Sequence, residues 1–314
     1  MTGVAVRVPA TTANLGPGFD ALGAAVTRYL YAGVAPRSGE ERVTTQGEGA
    51  SEVATGDDNL VWRSFVTFCD RTDIAVPDVS VRVRNEIPLE RGMGSSSAAI
   101  VGGLALARAV TGASVGDLDL VRMATDLEGH PDNVAPAVLG GLVACAQTDD
   151  GDLIVRRAQP ADATVVIAIP ANRQNTHEAR AALPDALSRP DVATQAARAA
   201  HVTPGLIGLW PVDPRVAGDL LHEPARFAAM PASGDLVQAM RADGIHAWLS
   251  GAGPSVAAVA ADNAALGRIE ACAREHGFEA AVLRWDLAGT IACRDDVCAF
   301  AGSGGCAACP RARL

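Results

Sequence analysis

Val79, Val81 and Val83 alternate with Ser80, Arg82 and Arg84 in VSVRVRN (79–85), the period-two pattern of a strand with one buried face. VAVRV (4–8) reads as an opening strand, and PATTANLGPGFD (9–20) as the loop that follows it. The apolar run after the serines at 95–97 predicts a helix from about Ser95 to Val110. DLDLVRMATDLEG (117–129) sets Leu120, Met123, Ala124 and Leu127 on one helical face. In DNVAPAVLGGLVACA (132–146) the glycines mark a turn into a strand, and ATVVIAIP (163–170) is a buried strand. Further on, GIHAWLSGAGPSVAAVA (244–260) has a strand–turn–strand pattern, and ADNAALGRIEACAREHG (261–277) is an amphipathic helix.

Strands and helices interleave in both halves, so the class is α/β or α+β. The polar stretch TDDGDLIVRRAQPAD (148–162), between two apolar ones, is the softest boundary. It divides the chain into expected domains at 1–155 and 156–290, with a Cys/Gly-rich tail at 291–314. The length of 314 residues suffices for two such domains.

A net charge of −10 argues against a nucleic-acid surface, because phosphate backbones reward clustered cations. The opening MTGVAVRVPATTANLG lacks the basic start and apolar core of a secretory signal, and the longest apolar run, Ala98 to Ala107, is too short to cross a bilayer. A cytoplasmic protein that does not engage membranes is the expectation.

All 26 basic residues are Arg; there is no lysine. Schiff-base chemistry, the Walker A lysine and the protein-kinase strand lysine are therefore closed. Phosphate chemistry in this chain would rely on backbone N–H groups, hydroxyls, Arg and metal. Four of the seven cysteines, Cys293, Cys298, Cys306 and Cys309, fall in the tail with a spacing that lacks the paired CxxC of a zinc ribbon. Reduced thiols on a loose tail are expected, with a small metal site or redox-sensitive tail as the other reading.

Four stretches carry candidate chemistry. In PLERGMGSSSA (88–98), Gly92 and Gly94 permit close backbone approach, and Ser95, Ser96 and Ser97 stand where a helix begins. Free N–H groups, hydroxyls and the positive end of the helix dipole make that a ready anion site, although Gly-Ser before a helix is also ordinary capping chemistry. Asn14 and Asp20 lie in a Gly/Pro-bounded segment after a strand. Glu128, His130, Asp132 and Asn133 fall within six residues at a helix end, enough oxygen to hold magnesium together with waters. LSGAGPSVAA (249–258) is a Gly-rich turn between strands.

Together these stretches resemble the GHMP superfamily of small-molecule kinases. Its three motifs stand in order at 9–20, 88–97 and 250–255, with Met93 where Leu is usual and Ser97 where Ala is usual. PATTANLGPGFDALGAAV, GHPDNVAPAVLGG, NTHEARAALP and HEPARFAAMPAS bring the resemblance closest to the homoserine kinase branch, over residues 4 to about 290. It implies an α+β, two-domain fold: an N-terminal ATP-binding α/β domain with a left-handed βαβ unit, and a C-terminal ferredoxin-like α/β sandwich.

It also implies ATP-dependent phosphorylation of the L-homoserine side-chain hydroxyl, a step of threonine biosynthesis, with ATP and Mg2+ as cofactors. Pro88, Leu89, Glu90, Arg91, Gly92, Met93, Gly94, Ser95, Ser96, Ser97 and Ala98 would wrap the ATP phosphates. Glu128 and Ser96 would hold the metal, and Asn14, Asn133 and Glu128 would form the catalytic set. Asn14, Asp20, His130, Asn133, Arg180 and Arg226 would bind the substrate, the two Arg gripping its carboxylate. The alternatives are a kinase for another small alcohol such as L-threonine or a polyol, and a non-catalytic ATP-binding regulatory module. A homodimer is left open.

Overall fold

The computed structural model describes residues 3–37, 41–174, 180–181 and 183–293. Seven strands form the first sheet: β1 (Ala5–Asn14), β2 (Gly18–Pro36), β3 (Val43–Gly47), β4 (Val79–Asn85), β5 (Leu142–Gln147), β6 (Leu153–Ala158) and β11 (Ile291–Cys293). Its path runs β11-β1-β2-β4-β3, with β5 on β2 and β6 on β5. The 19-residue β2 makes this possible: its first half pairs with β5 through Leu22–Ala24, and its second half with β4 through Leu30–Pro36. β4 buries alternate residues as its valine spacing requires. β3 and β4 are parallel and joined through α1 (Leu60–Arg71), a βαβ unit.

Helix α2 (Ser95–Thr111) lies at the centre of this half, against α1, α3 (Asp117–Glu128), α4 (Pro131–Leu139) and the sheet. It is buried on nearly every side, and its Ala and Gly positions let neighbours approach, so it reads as a continuous apolar run without a polar face. Asn59 caps α1 by accepting from Val61 N at 3.0 Å, and Gly112 ends α2 in the left-handed region.

The second sheet holds β7 (Thr164–Ile169), β8 (Ala247–Leu249), β9 (Val256–Ala260) and β10 (Glu279–Arg284) in the order β10-β7-β9-β8, all antiparallel. In chain order this is the 4-1-3-2 arrangement of a ferredoxin-like sandwich. Among the described residues, this half includes the helices α5 (Arg189–Leu206), α6 (Glu223–Ala229), α7 (Pro231–Ala242) and α8 (Asn263–Glu275). Leu236, Val237 and Met240 from α7 and Ile269 and Ala273 from α8 fill the core beneath the sheet.

Three expectations change. Residues 9–14 are not loop: β1 continues to Asn14, and Asn14 pairs with Gly18 across a three-residue hairpin turn, because β2 supplies partners for that backbone. The stretch 148–162 contains β6, so the first sheet runs past the boundary expected at residue 155. Cys293, grouped with the tail, is buried in β11, where Ala5–Arg7 of β1 pair with residues 291–293. Cys298, Cys306 and Cys309 lie outside the described residues. Among the described residues, no helix is long and apolar enough to cross a membrane.

Candidate active site

A cleft of about 660 Å³ runs between the two sheets' loops, from Val53, Leu60 and Leu89 past Ser95–Ser97 to Asn14, Asp20, Arg180 and Arg226. Leu127, expected on the buried face of α3, instead lines this cleft and is 39% exposed. The core face of α3 is made by Leu120, Val121 and Ala124.

The phosphate-loop candidate is held in place by contacts that only glycine permits. A Cβ on Gly92 (φ 69°) would lie 2.0 Å from the Ser250 carbonyl oxygen, and one on Gly94 (φ 67°) 2.0 Å from Thr11 Oγ1. The Gly-rich turn at 250–255 explains the first contact. Ser250 Oγ donates to Gly92 O at 2.6 Å and lies 2.9 Å from Thr12 Oγ1, which also accepts from Trp248 Nε1 at 3.0 Å. The two Gly-rich segments and β1 therefore pack as one unit. Gly94 is the N-cap of α2 and has no side chain to satisfy the first N–H groups, so they face the cleft with the positive helix end.

At that same helix end, Ser96 Oγ and Ser97 Oγ donate to Glu128 Oε1 at 2.6 and 2.7 Å. Three oxygen-bearing groups from two separate stretches thus meet at one point. Hard oxygen donors, one of them anionic, fit a magnesium ion that keeps waters and phosphate oxygens as its other ligands.

The other end of the cleft is ionic. Arg180 makes a bidentate pair with Asp20, at 2.8 and 2.7 Å, and that hydrogen bond holds the Arg180 pKa above its ordinary value. Asp20 has φ 55° and Asn14 φ 70°, left-handed conformations imposed by the hairpin that aim both side chains into the cleft. Asn14 Nδ2 and Arg226 Nη1 both donate to Gly251 O, at 2.8 and 2.9 Å. Arg226 is buried, and burial, with the like charge of Arg180, lowers its pKa to about 10.

His130 Nδ1 contacts Asp132 Oδ1 at 2.5 Å. Burial opposes its protonation, but the bond to Asp132 and the charges of Asp132, Glu128 and Asp20 outweigh that, and the His130 pKa is raised. Ligand atoms of Asp20, His130 and Asp132 all lie within 4.8 Å of one another, an acidic corner suited to a cation. Thr11 Oγ1 donates to Asn133 Oδ1 at 2.8 Å, which fixes that amide, and its NH2 reaches Asp132 Oδ1 at 3.5 Å.

The sequence reading had Asp132 only as a metal oxygen and missed two residues. Phe19 stands between the arginines, its ring centroid 5.4 Å from each guanidinium carbon and 5.5 Å from the His222 ring. Thr11 orients Asn133. Phe19 adjoins Asp20 in the GFD triplet, but nothing in the sequence told it from a core aromatic. Arg91 lines the cleft, yet its guanidinium donates to the carbonyls of Leu89, Pro170 and Ala171. Glu223 of the HEPAR segment turns inward to Arg241, at 2.6 and 2.8 Å, and so anchors the helix that carries Arg226.

A helix N-terminus with a glycine-walled phosphate loop, facing an ion-paired pocket across one cleft, defines a small-molecule kinase of the GHMP class. Residues 59–141 match the GHMP kinases N terminal domain, and residues 214–279 match GHMP kinases C terminal. The chain is 38% identical to the homoserine kinase of Synechococcus sp., with 96% of each chain covered. It is 40% identical to that of Streptomyces avermitilis, covering 91% of this chain and 94% of the relative. The crystal structure of homoserine kinase from Cytophaga hutchinsonii superposes with a TM-score of 0.81 at 25% identity, over 93% of this chain and 98% of that one. The chain belongs to the homoserine kinase family, and ATP is its phosphoryl donor.

Proposed function

We propose that this enzyme transfers the γ-phosphoryl group of ATP to the side-chain hydroxyl of L-homoserine, giving O-phospho-L-homoserine. The observation that carries the reading is the paired charge of Arg180, Arg226 and Asp20 in the same cleft as the N-terminus of α2. An α-amino acid offers a carboxylate to the arginines and an ammonium group to Asp20, with Asp132 and His130 beside it.

Phosphoryl transfer asks for alignment and for neutralisation of phosphate charge. The free N–H groups at the start of α2 would receive the phosphates. Ser96 and Glu128 would hold magnesium, which when bound neutralises the phosphate oxygens as a Lewis acid. Asn133, its carbonyl held by Thr11, would turn its NH2 toward the reacting oxygens, and Asn14 would flank the hydroxyl. No lysine is present to act as a strong base. The hydroxyl proton would therefore leave late, onto a phosphoryl oxygen.

A coupled ADP-release assay across homoserine, threonine and polyols tests the reading. Homoserine should give the highest kcat/KM; a higher value for threonine or a polyol would replace it with a kinase for that alcohol.

A further inference from the structure

Arg91 is the one arginine inside the phosphate-loop segment 88–98, where an arginine would be taken for a phosphate ligand. Its guanidinium does something else. Nε donates to Pro170 O at 2.9 Å, Nη2 to Ala171 O at 2.6 Å and Nη1 to Leu89 O at 3.0 Å. Three of its five N–H donors are thereby committed to main-chain carbonyls, two of them just past the end of β7.

The same junction is tied twice more. Gln174 N donates to Glu90 O at 3.1 Å, and Arg173 pairs with Glu52. Residues 170–174 follow directly on β7, the strand next to the middle of the second sheet, and lead in sequence toward Arg180. The chain therefore leaves the second sheet under hydrogen bonds from the phosphate loop just before it supplies the residue that grips Asp20.

We infer that Arg91 is a positioning residue that locks the phosphate loop to the segment leading to Arg180, and so sets the separation between the γ-phosphate and the substrate hydroxyl. The inference rests on the reading of Arg180 as part of the homoserine pocket. A guanidinium suits this work because its planar fork reaches carbonyls on both sides of the junction at once. Lysine at this position could satisfy one side at a time.

The test uses Arg91→Met, which keeps the apolar stem, and Arg91→Lys, with folding checked by circular dichroism and thermal melting. Homoserine kinetics are measured at saturating ATP, and nucleotide affinity by calorimetry with AMPPNP. Misplacing the reacting groups should lower kcat on the order of ten- to a hundredfold and raise the homoserine KM. The AMPPNP Kd should stay within about twofold, and Arg91→Lys should recover part of the loss as one carbonyl contact returns. If Arg91→Met does not fold, the Lys variant decides by the same split between kinetics and AMPPNP affinity. A weakened AMPPNP Kd with an unchanged homoserine KM would make Arg91 a phosphate ligand and overturn the inference, as would unchanged kinetics in both variants. Wild-type enzyme inactive on homoserine would instead sink the functional reading on which the inference stands.

Discussion

Arg180 and Asp20 face each other as a bidentate ion pair at 2.7 and 2.8 Å, so the two groups that would read the substrate's opposite charges already neutralise one another. A zwitterion offers each of them a new partner, whereas a substrate with one charge leaves the other without compensation. Homoserine should thus be preferred over homoserinol, which lacks the carboxylate, and over 4-hydroxybutyrate, which lacks the amine. Each lost charged contact should cost about 1.5–3 kcal/mol, roughly ten- to a hundredfold in kcat/KM. Arg226→Ala should remove most of the discrimination against homoserinol, which has nothing for that arginine to hold. Equal use of homoserinol and homoserine by the wild type would refute the carboxylate grip.

Ser96, Ser97 and Glu128 share one carboxylate oxygen at the start of α2. Glu128→Gln should raise the magnesium concentration needed for half-maximal rate more than it raises the homoserine KM. A larger effect on homoserine would move Glu128 out of the metal site. Ser96→Leu should block phosphate approach with little change in melting temperature, since Ser96 is exposed; unchanged turnover would take the loop out of the mechanism.

His222 and His246 pack around the hairpin turn at Gly16, and burial lowers both pKa values to about 3. In the unfolded chain each would take up a proton below about pH 6.5. The unfolded state then binds more protons than the native one, so stability falls as pH drops from about 6.5 toward 3. Unfolding in this window should take up close to two protons from these residues, read from the pH dependence of the unfolding free energy. His246→Phe should remove about one of them; an unchanged slope would mean the ring is protonated in the native state.

His130 acts with the opposite sign. Its folded pKa is raised, so its pairing with Asp132 stabilises the native state fully below the ordinary histidine value and is lost as pH rises through the raised one. Wild type and His130→Gln should therefore differ more in melting temperature at pH 5.5 than at pH 9, and a constant difference would count against the ion pair.

β11 closes the edge of the first sheet against Ala5–Arg7. Truncation after Arg294 keeps that strand and should leave activity largely intact. Truncation after Thr290 removes it, together with the buried Cys293, and should cost about 1–3 kcal/mol of stability. Equal melting temperatures for the two truncations would show that the strand adds nothing.

Much of this protein could be read from local pattern, because local pattern is set by short-range physics. The valine alternation of β4, the apolar run of α2 and the strand–turn–strand at 244–260 all appear where periodicity put them. The motif residues Ser96, Glu128, Asn14 and Asp20 were legible as chemistry because their spacing and Gly/Pro surroundings are unusual. What sequence alone could not decide was pairing across long separations. Residues 9–14 looked like loop until β2 supplied their partners, and Cys293 looked like tail until β1 did. Leu127 has the spacing of a core residue, but the cleft lies where its side of α3 points. The meeting of Asp20 with Arg180, 160 residues apart, and the turning of Arg91 from phosphate to carbonyl are set by how the two sheets dock. Tertiary packing decides such contacts, since a charged side chain commits to whichever partner the folded backbone brings within about 3 Å.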